Sequence, residues 1–201
     1  MKKFTVLALC LILTIQLFGQ DSKNVYESFS EFTDMNPSQE YDFQLKHRTT
    51  GNVFMAGGIT NHRIKKAKPS TTLKYLTKEA WGVFVNDSVF INSYPYSKLI
   101  GYNKILGIGY YCYFIGEPAR LQAEQLKLGI IKAGEPQRGV CCMTSYVILP
   151  DGTITWLTPD YLKELISDNG SLVEELESKK LTPDSVYEMF EIIDKYNRTK
   201  K

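Results

Sequence analysis

Tyrosine is the side chain with the most chemistry to offer here. The chain holds 13 of them among 201 residues. Tyr94, Tyr96, Tyr102, Tyr111 and Tyr113 fall within one stretch that is dense in β-branched and aromatic residues. Clustered rings of this kind stack on sugars or pack against a protein partner while their hydroxyls stay in water. Aromatic residues also favour strands for packing reasons alone, so the competing expectation is a sheet core capped by tyrosines. Cys141 or Cys142 with His47 or His62 would make a cysteine–histidine nucleophile, but no recognisable local motif surrounds them. The two histidines and the Cys-Cys pair do not match the spacings of structural zinc sites. Acidic pairs fall where helix faces would be solvated, and no nucleophilic serine motif or phosphate-binding loop is present. No catalytic residue, metal ligand or cofactor is therefore expected.

Two further features carry weaker signals. Gly107-Ile108-Gly109 resembles part of a nucleotide-binding loop, yet such loops open a helix. Here the glycines lead into Tyr110-Tyr111-Cys112-Tyr113-Phe114, which is strand-like, so they are expected to permit a bulge or a close backbone approach. His62-Arg63-Ile64-Lys65-Lys66-Ala67-Lys68 is the dense basic cluster. It would suit a phosphate, an acidic polysaccharide or a lipid headgroup. A solvated strand edge, on which lysines discourage pairing with other chains, is the plainer expectation.

The elements that position these residues follow a leader. Met1-Lys2-Lys3, an apolar run from Phe4 to Phe18 and then Gly19-Gln20 have the form of a secretory signal peptide. Cleavage between Gly19 and Gln20 leaves residues 20–201 as one domain of ordinary size. An uncleaved anchor is the alternative, although the run is shorter than the roughly 20 apolar residues a span requires. No second long apolar segment follows, so no integral membrane segment is expected once the leader is removed. The whole chain carries 24 Lys and Arg against 22 Asp and Glu, and the leader holds two of those lysines. A neutral remainder argues against a dedicated nucleic-acid binder. Cys112, Cys141 and Cys142 remain after the leader, and in an oxidising compartment Cys112 could bridge to Cys141 or Cys142. Three buried small apolar side chains are the other reading.

Along the chain, Val25, Phe29 and Phe32 have helical spacing and predict one short amphipathic helix, stopped by Asn36-Pro37-Ser38. Tyr41–His47 alternates as a half-buried strand, Val53–Ala56 is a short return strand, and Thr60–Ala67 is a third with Ile64 inward. Thr72–Glu79 is a helix. Val83–Val85 and Ser88–Ile91 form a hairpin about Asn86-Asp87, both tolerant of left-handed backbone. Asn92–Asn103 reads as a loop or broken strand. Tyr110–Phe114 is apolar on both faces, as in a strand covered twice. Leu126–Ile131 and Cys141–Leu149 are strand-like, and Pro150-Asp151-Gly152 turns the chain back into Thr153–Leu157. Thr158-Pro159-Asp160 and Thr182-Pro183-Asp184 each start a helix, with a further helix between them beginning at Ser171.

Trp81–Asn92, Gly109–Phe114, Tyr146–Thr158 and a leader ending Leu17-Phe18-Gly19-Gln20 make the chain similar to small secreted proteins of unknown function from Bacteroidota. That resemblance spans most of the chain after the leader and implies no activity and no functional residues. The expected fold is α+β: an antiparallel twisted sheet or partial barrel of six to eight strands, with a C-terminal cluster of three helices. The expected function is a secreted or periplasmic, non-enzymatic binding protein whose partner is an envelope protein or glycan, with no nucleic acid. A small envelope hydrolase and a structural subunit of a surface assembly are the alternatives.

Overall fold

The computed structural model describes residues 23–48, 62–98, 100–116 and 144–200. The leader with Gly19 and Gln20, the expected strands at 53–56 and 126–131, and Cys141 and Cys142 lie outside the described residues. Chain order is β1 (Asn24–Tyr26), α1 (Phe29–Thr33), β2 (Gln39–Glu40), β3 (Asp42–His47), β4 (His62–Lys68) and α2 (Thr72–Lys78). Then come β5 (Gly82–Val85), β6 (Ser88–Asn92), α3 (Tyr94–Ser97), β7 (Tyr102–Gly107) and β8 (Cys112–Gly116). The chain ends with β9 (Thr144–Ile148), β10 (Ile154–Trp156), α4 (Pro159–Leu165), α5 (Gly170–Lys179) and α6 (Val186–Thr199). The α+β class is as expected, with ten strands among the described residues where six to eight were anticipated.

Local chemistry explains the turns. Asn86 and Asp87 both sit at positive φ, 49° and 55°, which matches the twist of a two-residue hairpin joining β5 to β6. Pro150 and Asp151 turn β9 into β10, and Gly152 follows at φ +85° with the Phe29 ring too close for a Cβ. The Asp151 side chain steadies that turn by accepting from the Thr153 amide at 2.9 Å.

All pairings are antiparallel, and the strands run in the order β10-β9-β8-β7-β6-β5-β1-β2. The β3–β4 hairpin branches off this path, attached to β7 where His62 pairs with Tyr102. Strand alternation then sorts the side chains. One face gathers Tyr26, Val89, Ile91, Ile105, Cys112, Phe114, Tyr146 and Ile148 with Phe32 of α1. Residues from β1 and from β9–β10 share this cluster although they are remote in strand order. The sheet therefore curls around an aromatic interior without closing, and α1 fills the gap by laying Phe29 against Gly152. Phe114 and Tyr146 stack there at 5.0 Å, and Phe32 stacks on Trp81 at 4.8 Å. The reverse face has two covers. The β3–β4 hairpin and α2 bury Val83, Phe90 and Tyr102, while α4, α5 and α6 bury Tyr111, Tyr113 and Val147.

Several boundaries differ from the expectation, among them that of β8, which begins at Cys112 and not at Tyr110. Val25 and Tyr26 form strand β1, and the helix begins only at Phe29. Ser28 is the reason: its Oγ accepts from the Glu31 amide at 3.3 Å, while Glu31 accepts from the Glu27 amide at 2.7 Å, a reciprocal cap. Between Asn92 and Asn103 lies the short helix α3, and β7 follows as a full strand. Thr182-Pro183-Asp184 forms a turn in which Ser185 donates its amide to the Thr182 carbonyl at 2.9 Å, so α6 starts at Val186. The earlier signal, at Thr158, does cap α4, accepting from the Tyr161 amide at 3.2 Å.

Because Phe114 is fully buried against Tyr146, Phe114→Ala should lower folding stability by about 3–5 kcal/mol. Tyr187→Ala, at a position 68 % exposed on α6, should stay within about 0.5 kcal/mol of the parent. Urea unfolding of both variants checks the contrast.

Candidate functional site

The five tyrosines do not share one surface. Tyr102 on β7 is buried, and its hydroxyl donates to the Leu76 carbonyl in α2. Burial pushes that phenol up. Tyr111 and Tyr113 flank Cys112 and so project to the opposite face from it, into the helical cover. Tyr111 stacks on Tyr196 at 5.6 Å, and Tyr113 on Phe190 at 4.2 Å. Burial pushes the Tyr111 phenol up to about 12, and its hydroxyl donates to the Leu165 carbonyl at 3.2 Å. Tyr96 lies on the interior side. Its hydroxyl meets Ser93 Oγ at 3.3 Å and accepts from Asn103 Nδ2 at 3.0 Å, and burial pushes it up to about 12 against the pull of those two bonds. Tyr94 is half-buried, with the Nζ atoms of Lys78 and Lys98 at 5.4 and 5.6 Å from its ring centre. The period of a strand and the covering of both sheet faces account for this scatter. Tyr102, Tyr111 and Tyr113 are core residues.

The other chemically able side chains are also tuned by burial. Cys112 is buried, its Sγ 3.6 Å from the Gly109 carbonyl, and burial pushes the thiol up. An activated nucleophile needs the opposite shift. Its expected bridge partners, Cys141 and Cys142, fall outside the described residues. His47 and His62 are cross-strand partners on β3 and β4, their rings edge to face at 5.0 Å, and His62 also meets Phe90 at 4.7 Å. Burial, then the charges of His47 and Lys104, lower His62 to about 4. The imidazole is therefore neutral at neutral pH. Among the described residues, no three His, Cys, Asp or Glu side chains gather as a metal site would require, and no helix is long and apolar enough to cross a membrane.

The outer face of the β3–β4 hairpin is exposed and strongly basic. Phe43 and Leu45 pack inward, so Asp42, Gln44 and Lys46 point out. On β4 a bulge shifts the register after Gln44, pairing Gln44 with Lys66 and Leu45 with Ile64. The bulge puts both Ile64 and Ala67 inward and turns Arg63, Lys66 and Lys68 out, which is why that stretch of sequence does not alternate. Lys46 lies directly opposite Arg63, Gln44 opposite Lys66, and Asp42 opposite Lys68. Asp42 is shared by Lys23 at 3.7 Å and Lys68 at 3.6 Å. The sequence showed the basic run on β4 but not that Lys46 would stand across from it; the outward phase of Tyr41–His47 was the available signal.

The fold and this face set the context for comparison with known families. Residues 24–200 match the model of a family of unknown function, DUF6563. The chain belongs to the DUF6563 family. Comparison with curated proteins and with solved structures finds no match. The family assignment agrees with the expectation of an uncharacterised domain and covers both the curled sheet and the C-terminal helices of this DUF6563 protein.

His62 makes its folding pH-dependent in a defined direction. A histidine held below its ordinary value of 6.5 lets the unfolded chain take up the proton first. Its contribution is fully present above pH 6.5 and is lost as pH falls toward 4. Thermal unfolding followed from pH 7 to pH 4 should show the midpoint fall across that window, and His62→Gln should flatten the fall.

Proposed function

We propose that this protein is exported and acts in the periplasm or outside the cell as a non-catalytic binding protein, of the kind secreted by Bacteroidota. Its partner is an envelope component, a protein or a glycan. The observation that carries the binding role is the outer face of β3–β4, where Lys46, Arg63, Lys65 and Lys66 are exposed and enter no ion pair among the described residues. Among the described residues, Tyr102, Tyr111 and Tyr113 are buried, and burial pushes the Cys112 thiol up. Export is supported by the basic, apolar and small-residue pattern of residues 1–19.

Edge pairing into an assembly has less support. β2 and β10, at the ends of the strand order, are two and three residues long. β3 carries Lys46 and lies opposite a bulge, and these devices discourage strand addition.

Fractionation of cells producing the full chain, followed by N-terminal sequencing, tests export. The expected product begins at Gln20 and is found in the periplasm or the medium. Full-length protein retained in the cytoplasm would overturn it.

A further inference from the structure

We propose that the outer face of the β3–β4 hairpin binds a linear acidic polysaccharide, a ligand class that rests on the binding role proposed above. Residues 42–68 contain six of the chain's 24 Lys and Arg and one of its 22 Asp and Glu. That is a surplus of five positive charges in a chain whose formal net charge is +2, so the remaining residues are acidic in sum. The positive charge is a local feature.

Folding does not call for it. Lys46 and Arg63 are directly opposed, a like-charge arrangement that destabilises a pair of strands. The acid of this face, Asp42, stands at the far end of the hairpin, engaged by Lys23 and Lys68. Protection of an open edge accounts for Lys46 on β3. It does not by itself explain why the residue opposite Lys46 is Arg63 rather than an acid.

The layout indicates the ligand. From Arg63 to Lys68 the strand runs about 16 Å, more than one phosphate or carboxylate can span. An extended chain with repeated negative charges meets such a row at several points. Of the four exposed cations on β4, Lys65, Lys66 and Lys68 are lysines, point charges that attract carboxylate or sulfate without fixed geometry. Gln44 lies among them and offers an amide to sugar hydroxyls. A lipid surface fits less well, because interfacial binding needs apolar area. Among the described residues, the exposed large apolar side chains, Met35, Ile100, Leu106, Ile108, Tyr110 and Tyr187, all lie outside β3 and β4. Nucleic acid fits less well too, because the outward positions of this face carry no aromatic ring on which bases would stack.

The test uses the full mature chain with polygalacturonate, neutral dextran, and vesicles of phosphatidylcholine with phosphatidylglycerol. Binding is followed by titration calorimetry and by flotation. Polygalacturonate should bind, dextran should not, and affinity should fall about tenfold or more as added salt screens the contact. K46Q/R63Q/K66Q should weaken binding at least tenfold, while K163Q/K180Q/R198Q on the helical side should leave it within twofold. Because the hairpin variant removes the Lys46–Arg63 repulsion, its urea midpoint should not fall; the salt series on the parent stands even if it does. Equal losses in the two variants, salt-independent binding, binding to dextran, binding to vesicles without polygalacturonate, or no binding to polygalacturonate would each overturn the assignment. Binding to dextran or vesicles by an exported protein would leave the broader binding role intact, whereas a cytoplasmic protein would fail that role whatever it binds.

Discussion

A sheet that must hide both of its faces is the constraint on which this molecule depends. Antiparallel sheets commonly leave one face to water. Here β8 carries Cys112 and Phe114 on one side and Tyr113 on the other, with Tyr111 just before it on Tyr113's side, and all four are buried. One face meets the demand by curling, so that strands from both ends supply a common aromatic interior. Stacked and edge-on pairs such as Phe114–Tyr146 and Tyr26–Phe32 each add about 0.5–1.5 kcal/mol beyond the area they bury. The reverse face cannot curl as well, and two separate covers close it.

Burying so much sheet obliges the polar groups trapped inside to find partners, since each one left unpaired costs about 1–3 kcal/mol. Asn92 donates to the Ala80 carbonyl at 2.8 Å and accepts from the Tyr94 amide at 3.0 Å, which sets the start of α3. Ser145 donates to the Leu157 carbonyl at 2.9 Å. Asn197 makes a reciprocal pair with the Tyr111 backbone, each bond 2.9 Å, and Gly109 lets it approach because a Cβ there would stand 2.5 Å from the amide nitrogen. These contacts fix α6 and α3 to the strands. Burial also raises the phenols of Tyr96, Tyr102 and Tyr111.

The β3–β4 hairpin stands apart from that economy. It contributes Phe43, Ile64 and Tyr41 to one cover yet joins the main sheet through the pairing of His62 with Tyr102. Its outer face is therefore free of the interior's demands, and its charges are not needed to complete the core. The electrostatic asymmetry between a basic hairpin and an acidic remainder is the strongest functional signal the fold displays.

Much of this was legible from residue types, because local physics decided it. Asn86-Asp87 and Pro150-Asp151-Gly152 turn the chain as their residue types predict, and Thr158-Pro159-Asp160 starts a helix where the same signal at Thr182 makes only a turn. The alternation of Tyr41–His47, the inward position of Ile64 and the two-sided apolar character of Tyr111–Phe114 all follow from period two. The capping pair Ser28 and Glu31 was also present in the sequence, and it separates β1 from α1. What remained hidden were relations between segments. The register of β3 against β4 depends on a bulge that only cross-strand packing selects, so the confrontation of Lys46 with Arg63 could not be read in one dimension. Likewise, of five tyrosines close in sequence, Tyr96 went to the interior, Tyr102 to one cover, Tyr111 and Tyr113 to the other, and Tyr94 to none of them, because a side chain's destination depends on which element arrives to bury it. Sequence by itself determined the tight turns, the start of α4 and the strands of regular period, which local sterics and hydrogen bonding settle within a few residues. Tertiary structure decided which face each aromatic serves and where charge is left over, since burial is a property of the assembled chain.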